Sequence, residues 1–269
     1  MAELTVGSLF SGIGGLDLGL ERAGMRVIWN AEVDPYCCRV LKKHWPDVPN
    51  LGDVTAIDWS SVERPDVICG GYPCQPFSLA GGRAGEDDAR HLWPYVSDAV
   101  RVLRPRYALL ENVAGHLSLG FGRVLGDLAE IGYDAEWDCI PAAAIGAPHQ
   151  RDRVFVVAYP EGQRCEWSMP GASPSFGALP QGLGPVADAN SSPRDGSRSA
   201  SEALPGLPPV ERLGRRSSST NRRAWPSEPD VGRVAYGVPS RVDRLRGLGN
   251  AVVPQVAEHV GRLILEAAR

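Results

Sequence analysis

A cysteine flanked by prolines is the first feature of this 269-residue chain that offers chemistry. In Gly70-Gly-Tyr-Pro-Cys-Gln-Pro-Phe-Ser78 the rings of Pro73 and Pro76 fix the backbone on both sides of Cys74. The loop follows a short apolar run that reads as a strand, so it lies at the carboxyl edge of a sheet, where open α/β folds bind ligands. A thiol in a rigid Gly/Pro loop at such an edge has the setting of a nucleophile; a buried structural cysteine is the ordinary alternative. Two further stretches sit in comparable places. Leu109-Leu-Glu-Asn-Val113 puts the carboxyl group of Glu111 at the end of another apolar run, and Gln150-Arg-Asp-Arg153 opens the next one.

A second constellation reads as a ligand pocket. Phe10-Ser-Gly-Ile-Gly-Gly-Leu16 joins a strand to a helix, and its glycines let backbone N–H groups approach a bound molecule closely. It is not the dinucleotide fingerprint: counting from Gly12, the sixth position is Asp17, and a carboxylate is awkward beside a pyrophosphate. A ligand without phosphates fits better. Glu32, about twenty residues on at the end of the next apolar run, stands where an acid would accept hydrogen bonds from both hydroxyls of a ribose. Asp53, in Gly52-Asp-Val54, could hold an amino group or simply form a turn, Phe10 could stack on a ligand or belong to the core, and Asn250 could serve as a helix cap.

The elements needed to position these residues follow from the hydrophobic pattern. Strands are predicted at Leu4–Phe10, Met25–Ala31, Asp66–Gly70, Tyr107–Asn112, Ala135–Ile140 and Arg153–Tyr159, with helices near Leu16–Ala23, from Pro35 towards Trp45, Leu92–Leu103 and Gly122–Ile131. Gly24 closes the first helix, Asp34 and Pro35 start the second, and Pro46 ends it. Strand, helix, strand throughout is the order of an α/β protein with a doubly wound, mostly parallel sheet. Residues 1–159 form this core. From 160 to 240 Gly, Pro, Ser and Arg dominate and neither period persists, so a separate, irregular region is expected there. Residues 241–269 return to the core with a helix whose apolar face is Val256, Val260, Leu263 and Ile264.

Composition narrows the setting. Hydrophobic residues make up 43% and no apolar run approaches the roughly 18 residues of a membrane span. Glu3 stands where a secretory leader carries positive charge, so a soluble, cytoplasmic protein without a membrane partner is expected. Cys37, Cys38, Cys69, Cys74, Cys139 and Cys165 contain no CxxC pair and have no histidine pair nearby, which argues against a metal site. The net charge is −4, yet Arg194 to Arg246 carries eleven Arg against six acidic residues, a basic stretch suited to a polyanion.

In their order along the chain these motifs resemble those of the DNA cytosine-5 methyltransferases: Phe10-Ser-Gly-Ile-Gly-Gly-Leu-Asp-Leu-Gly-Leu20, Ala31-Glu-Val-Asp-Pro-Tyr36, Gly52-Asp-Val54, the Cys74 loop, Glu111-Asn-Val113, Gln150-Arg-Asp-Arg-Val-Phe155 and Gly247-Leu-Gly-Asn-Ala-Val-Val-Pro254. The resemblance spans about Leu4–Tyr159 and Arg241–Ala267. It implies a Rossmann-like methyltransferase fold with a small, irregular target-recognition region at 160–240, and transfer of a methyl group from S-adenosylmethionine to C5 of a cytosine flipped out of duplex DNA. By the same resemblance Cys74 adds to C6 of the base, Glu111 stabilises the charge that moves into the ring, Arg153 meets the cytosine O2, and Arg151 and Asn112 support the site. It assigns cofactor contacts to Phe10, Gly12, Ile13, Gly14, Glu32, Val33, Asp53, Pro73, Leu92, Asn250 and Ala251, and DNA contacts to Gln75, Ser78, Arg83 and Arg90. The implied partner is double-stranded DNA, the enzyme acting as a monomer with or without a cognate restriction endonuclease. Two features depart from the family. The helix before the last motif is reduced to Pro239-Ser-Arg-Val-Asp-Arg-Leu-Arg246, and the 160–240 region is poor in apolar residues for a folded module. A methyltransferase acting on tRNA and a catalytically silent DNA-binding relative are the alternatives.

Overall fold

The computed structural model describes residues 3–73, 92–118, 120–163 and 240–269. Within them the alternating apolar and amphipathic runs become β1 (Thr5–Leu9), α1 (Gly15–Ala23), β2 (Arg26–Ala31), α2 (Pro35–His44), β3 (Val67–Gly70), α3 (Trp93–Leu103), β4 (Tyr107–Val113), α4 (Phe121–Glu130), β5 (Tyr133–Ile140), β6 (Arg153–Pro160), α5 (Arg241–Asn250) and α6 (Pro254–Ala267). The helix boundaries have local causes. Gly24 ends α1 in a left-handed conformation, and Asp34 caps α2 by accepting from Tyr36 N and Cys37 N ahead of Pro35 at its first turn.

The sheet order is β2-β1-β3-β4-β6-β5. β1 pairs in parallel with β2 on one side and β3 on the other, and β3 pairs in parallel with β4. Strands buried on both faces read as continuous apolar runs, which is why Val67-Ile-Cys-Gly70 and Val154-Phe-Val-Val-Ala158 carry no alternation. β6 runs antiparallel to both β4 and β5, which corrects the strict strand–helix–strand order expected from sequence. Between β5 and β6, residues 141–152 carry only the 3-10 turn Ala142–Ile145, so the chain doubles back beside β5 without a helical crossover. From β1 the chain crosses to β2 on one side and then returns to β3 on the other, so the carboxyl ends of β1 and β3, Phe10–Gly12 and Gly71–Pro73, flank a topological switch point.

Close approach of the first and last helices completes this core. A Cβ on Gly19 would stand 2.4 Å from Ala257 Cβ and 2.5 Å from the Pro254 carbonyl oxygen, and one on Gly15 would stand 2.4 Å from the Val252 carbonyl oxygen. Only hydrogen fits at these positions. The contact lays residues 247–252, the end of α5 and the start of its link to α6, beside the glycine turn at the start of α1. The carboxyl group of Asp17 lies wholly buried beneath that turn, where it accepts from Ser8 Oγ at 3.1 Å. It points into the core rather than at the ligand side.

Burial pushes Asp17 up from 3.8 to about 7. Its folded value lies above its unfolded one, so the folded chain holds the extra proton and loses that stabilisation as pH rises through about 7. Asp17→Asn removes this ionisation. Its unfolding free energy should gain on that of the parent as pH rises from about 4 to about 7, by on the order of a few kcal/mol at most. Parallel urea titrations of both proteins test this, and a difference that does not change with pH would show that Asp17 does not titrate in the folded chain.

Candidate active site

A cavity of about 440 Å³ opens along the carboxyl ends of β1, β3 and β4. One half is built on the glycine turn. Phe10 enters it with φ of 51°, a left-handed conformation rare outside glycine, and its ring lies on the cavity wall while also packing against the core. Glu32, just after β2, fixes the turn from the opposite side: its Oε2 accepts from Gly12 N at 2.7 Å, and its Oε1 accepts from Val33 N at 2.8 Å and Asp34 N at 2.7 Å. These bonds take three of roughly four acceptor positions on the carboxylate and leave about one for a ligand hydroxyl in this arrangement. Asn50 holds Glu32 in turn. Its Oδ1 accepts from Glu32 N and its Nδ2 donates to Glu32 O, both at 3.0 Å. Nothing in the local sequence around Asn50 singles it out, because its role depends on a neighbour 18 residues away.

Asp53 lies on the same wall and accepts from Thr55 N and Thr55 Oγ1, so it both forms a turn and faces the cavity. The Thr55 amide holds its carboxyl below the usual range. Val33, Leu92, Asn250 and Ala251 also line the cavity, as does Pro73 at its other end. Asn250 is the last residue of α5, and α6 is preceded by Val253, so Asn250 does not cap the helix that follows. Gly14 is the N-cap position of α1, and Ile13 faces Gly247 and is not part of the cavity wall.

The other half of the cavity centres on Glu111, Asn112 and Arg153. Glu111 is buried at the end of β4, with Arg153 Nε 3.0 Å from its Oε1. Burial pushes its carboxyl up to about 7, against the pull of the Arg153 and Arg151 guanidinium groups. Gly71 makes room for it: a Cβ there would come 2.8 Å from Glu111 Oε2. Asn112 donates from Nδ2 to the Tyr72 carbonyl oxygen at 3.2 Å and accepts from Val113 N. Tyr72 is anchored further by a 2.8 Å hydrogen bond between its hydroxyl and His116 Nε2 and by packing on Trp93, so the chain is held firmly where it enters Pro73. Tyr72 and His116 were not singled out from sequence, since an aromatic and a lone histidine carry no motif. Arg151 lies behind the wall, where it donates to the Gly249 and Ala251 carbonyl oxygens.

Cys74, Gln75, Ser78, Arg83 and Arg90 lie outside the described residues. The four described cysteines are poor nucleophiles. Burial pushes the Cys37 thiol up to about 12, sets Cys69 well above the ordinary range, and raises Cys38 and Cys139. Cys37 is the informative case, because it lines the cavity and is still held as a thiol.

The cavity's charges bear on what it can hold. Glu32, Asp34, Asp53 and Glu111 are acidic, and Arg153 and Arg246 are basic. Arg153 pairs with Glu111 and Arg246 with Asp34, which leaves Glu32 and Asp53 without a cationic side chain among the described residues. A phosphate would meet repulsion here, whereas a cationic, phosphate-free nucleoside such as S-adenosylmethionine fits the donor set. Among the described residues there is no group of three or more His, Cys, Asp or Glu able to hold a metal ion, and no helix long and apolar enough to cross a membrane.

Comparison with known proteins agrees with this geometry. The model of the C-5 cytosine-specific DNA methylase family matches residues 4–192. Type II methyltransferase M.AquIA of Picosynechococcus is 34% identical over 62% of this chain and 77% of its own length. M.NgoBI of Neisseria gonorrhoeae is 34% identical over 56% and 49% respectively, and M.HgiBI of Herpetosiphon aurantiacus is 37% identical over 55% and 36%. The chain thus spans half or less of the latter two relatives. Among solved structures, a prophage-encoded chain from E. coli described as a DNA modification methyltransferase superposes with a TM-score of 0.53 at 27% identity, covering 62% of this chain and 49% of that one. The Dnmt2 methyltransferase of S. pombe superposes at 0.54 with 20% identity, over 62% and 54%, and shares the fold. A family model spanning most of the sequence and a sheet that gathers its motifs at one edge lead to one assignment: the chain belongs to the C-5 cytosine-specific DNA methylase family.

Proposed function

We propose that this chain methylates C5 of cytosine in duplex DNA, using S-adenosylmethionine, through a covalent adduct between Cys74 and C6 of a base flipped out of the helix. The observation that carries this reading is one cavity that joins an acid-rich, glycine-walled half to the buried Glu111–Arg153 pair, with Gly71–Pro73 leading directly to Cys74. Glu32, Asp53, Phe10 and the 247–252 segment hold the nucleoside, and S-adenosylmethionine supplies an electrophilic methyl group when bound.

The chain's own residues overcome the weak nucleophilicity of C5. The Cys74 thiolate forms a bond to C6, and the electron pair of the C5–C6 double bond shifts into the ring. Glu111, whose buried carboxyl keeps a proton near neutrality, delivers that proton to N3 as charge accumulates there. Arg153 fixes the carboxyl through Nε and meets the base at O2. Once C5 carries the new methyl group, its hydrogen leaves to solvent, N3 returns its proton to Glu111, and the bond to C6 breaks to regenerate the Cys74 thiolate. Flipping the base costs a few kcal/mol, offset by contacts in the pocket. Gln75, Ser78, Arg83 and Arg90 contact the DNA beside the flipped base. The basic stretch between β6 and α5 reads the target sequence, the protein acting as a monomer, alone or with a cognate endonuclease.

Incubation with methyl-labelled S-adenosylmethionine should move label to duplex DNA and not to tRNA; label on tRNA alone would replace the substrate proposed here. Cys74→Ser should abolish this transfer while binding S-adenosylhomocysteine about as well as the parent. A duplex with 5-fluorocytosine at the target should trap an adduct that peptide mapping places at Cys74, and an adduct at another cysteine would refute the assignment.

Glu32→Ala removes both the ribose acceptor and the brace on Gly12. Calorimetry should show roughly a ten- to hundredfold loss of cofactor affinity with unchanged sequence preference on DNA. An unaltered dissociation constant would leave Glu32 no part in binding.

Replacing 164–225 with a short Gly/Ser linker should spare cofactor binding and remove site selection. Retained sequence-specific methylation would put recognition elsewhere in the chain.

A further inference from the structure

Arg151 joins parts of the chain that sequence keeps about a hundred residues apart. Its Nη2 donates to the Gly249 carbonyl oxygen at 2.6 Å and to the Ala251 carbonyl oxygen at 2.7 Å. Its backbone holds φ of 44°, a left-handed conformation unfavourable for a residue with a Cβ, and the preceding Gln150 carbonyl is tied to Ala142 N at 2.6 Å. The guanidinium thus comes from a constrained backbone. The segment it holds is a wall of the cavity on the cofactor side: Gly249, Asn250, Ala251 and Val252 all line it, and the Val252 carbonyl presses on Gly15 at the glycine turn. Arg151 also stands two residues from Arg153, close enough that its charge acts on Glu111.

We propose that Arg151 is a positioning residue that couples the two halves of the cavity, its guanidinium holding the Gly249–Ala251 segment in the cofactor wall while its charge stays beside the Glu111–Arg153 pair. This rests on the function proposed above. It differs from a supporting role at the base alone, because Arg151 does not line the cavity and its two hydrogen bonds both run to the cofactor side. A guanidinium with both hydrogens of one nitrogen engaged on two carbonyls sets the distance between them, and the segment can shift only if Arg151 shifts. Any ligand that moves the Arg151–Arg153 loop on the base side therefore alters the cofactor wall, and by linkage the cofactor alters affinity for the base side by the same factor.

The test uses the full-length protein, S-adenosylhomocysteine as probe, and the 5-fluorocytosine duplex. The coupling factor is the ratio of the probe's dissociation constants measured with and without a target duplex. Arg151→Met keeps the stem and removes the donors and the charge. It should weaken binding of S-adenosylhomocysteine in the absence of DNA by about tenfold, and bring the coupling factor close to one. Because the positive charge is gone, the pH above which Cys74 adduct formation declines should move upward, as Glu111 holds its proton more tightly. Arg151→Lys keeps the charge with a different reach: it should also weaken probe binding but leave that pH profile where it is in the parent. A solely structural role would lower the melting temperature without changing the coupling factor or the profile.

Parent-like probe binding by folded Arg151→Met overturns the coupling role and leaves the proposed function standing. Absence of probe binding by the parent protein overturns both. Should Arg151→Met not fold, Arg151→Lys decides the matter on probe affinity, with parent-like affinity again overturning the proposal.

Discussion

The site depends on a steric constraint, the passage of α1 over the end of the chain with hydrogen atoms alone between them. Gly15 lies against the Val252 carbonyl and Gly19 against Ala257 and Pro254, and a methyl group at either position would overlap backbone or Cβ atoms. Packed cores do not absorb overlaps of that size without moving whole elements. Without this contact residues 247–252 would have no fixed relation to the glycine turn, and the cavity would lose one wall. The Arg246–Asp34 pair and the bonds from Arg151 then locate α5 and the 249–251 segment on a surface the glycines have already brought close.

Hydrogen-bonded acids organise what the glycines admit. Glu32 spends most of its acceptor capacity on backbone amides of the turn and of the α2 entry, and Asn50 fixes Glu32 from behind. A ligand therefore meets a carboxylate already oriented, which lowers the entropy lost on binding. Asp17 lies in the first turn of α1 but is buried beneath it and faces the core, so it does not meet a ligand. The Glu32 carboxylate on Gly12 N instead takes a position that a phosphate-binding turn would leave open to an anion. The glycine turn thus keeps the close backbone approach of nucleotide-binding folds without their attraction for phosphate.

At the other end of the cavity, burial and ion pairing pull against each other on one carboxyl group. Desolvation alone would drive Glu111 to the neutral form, and Arg153 and Arg151 bring it back to near neutrality, the range in which a group can both give and take a proton. Arg153 achieves this from the first residue of β6. That strand must run antiparallel to β4 for Arg153 to stand opposite Val113, close to Glu111. The reversed strand is therefore a requirement of the site and not an irregularity of the sheet.

The sequence by itself determined the elements and most of the wall. Continuous apolar runs mark strands buried on both faces, Gly24, Asp34, Pro35 and Pro46 mark helix ends through local backbone chemistry, Glu32 and Glu111 stand at the ends of recognisable runs, and Arg153 falls in a motif that resembles the family's. Tertiary structure alone decided the direction of β6, the partnership of Asn50 with Glu32, the inward turn of Asp17, the anchoring of Tyr72 by Asn112 and His116, and the reach of Arg151 to the 249–251 segment. The physical reason is common to all of these. A periodic pattern reports which face of an element is buried, but a hydrogen bond or a close glycine contact depends on where another element, often a hundred or more residues away, comes to lie against it.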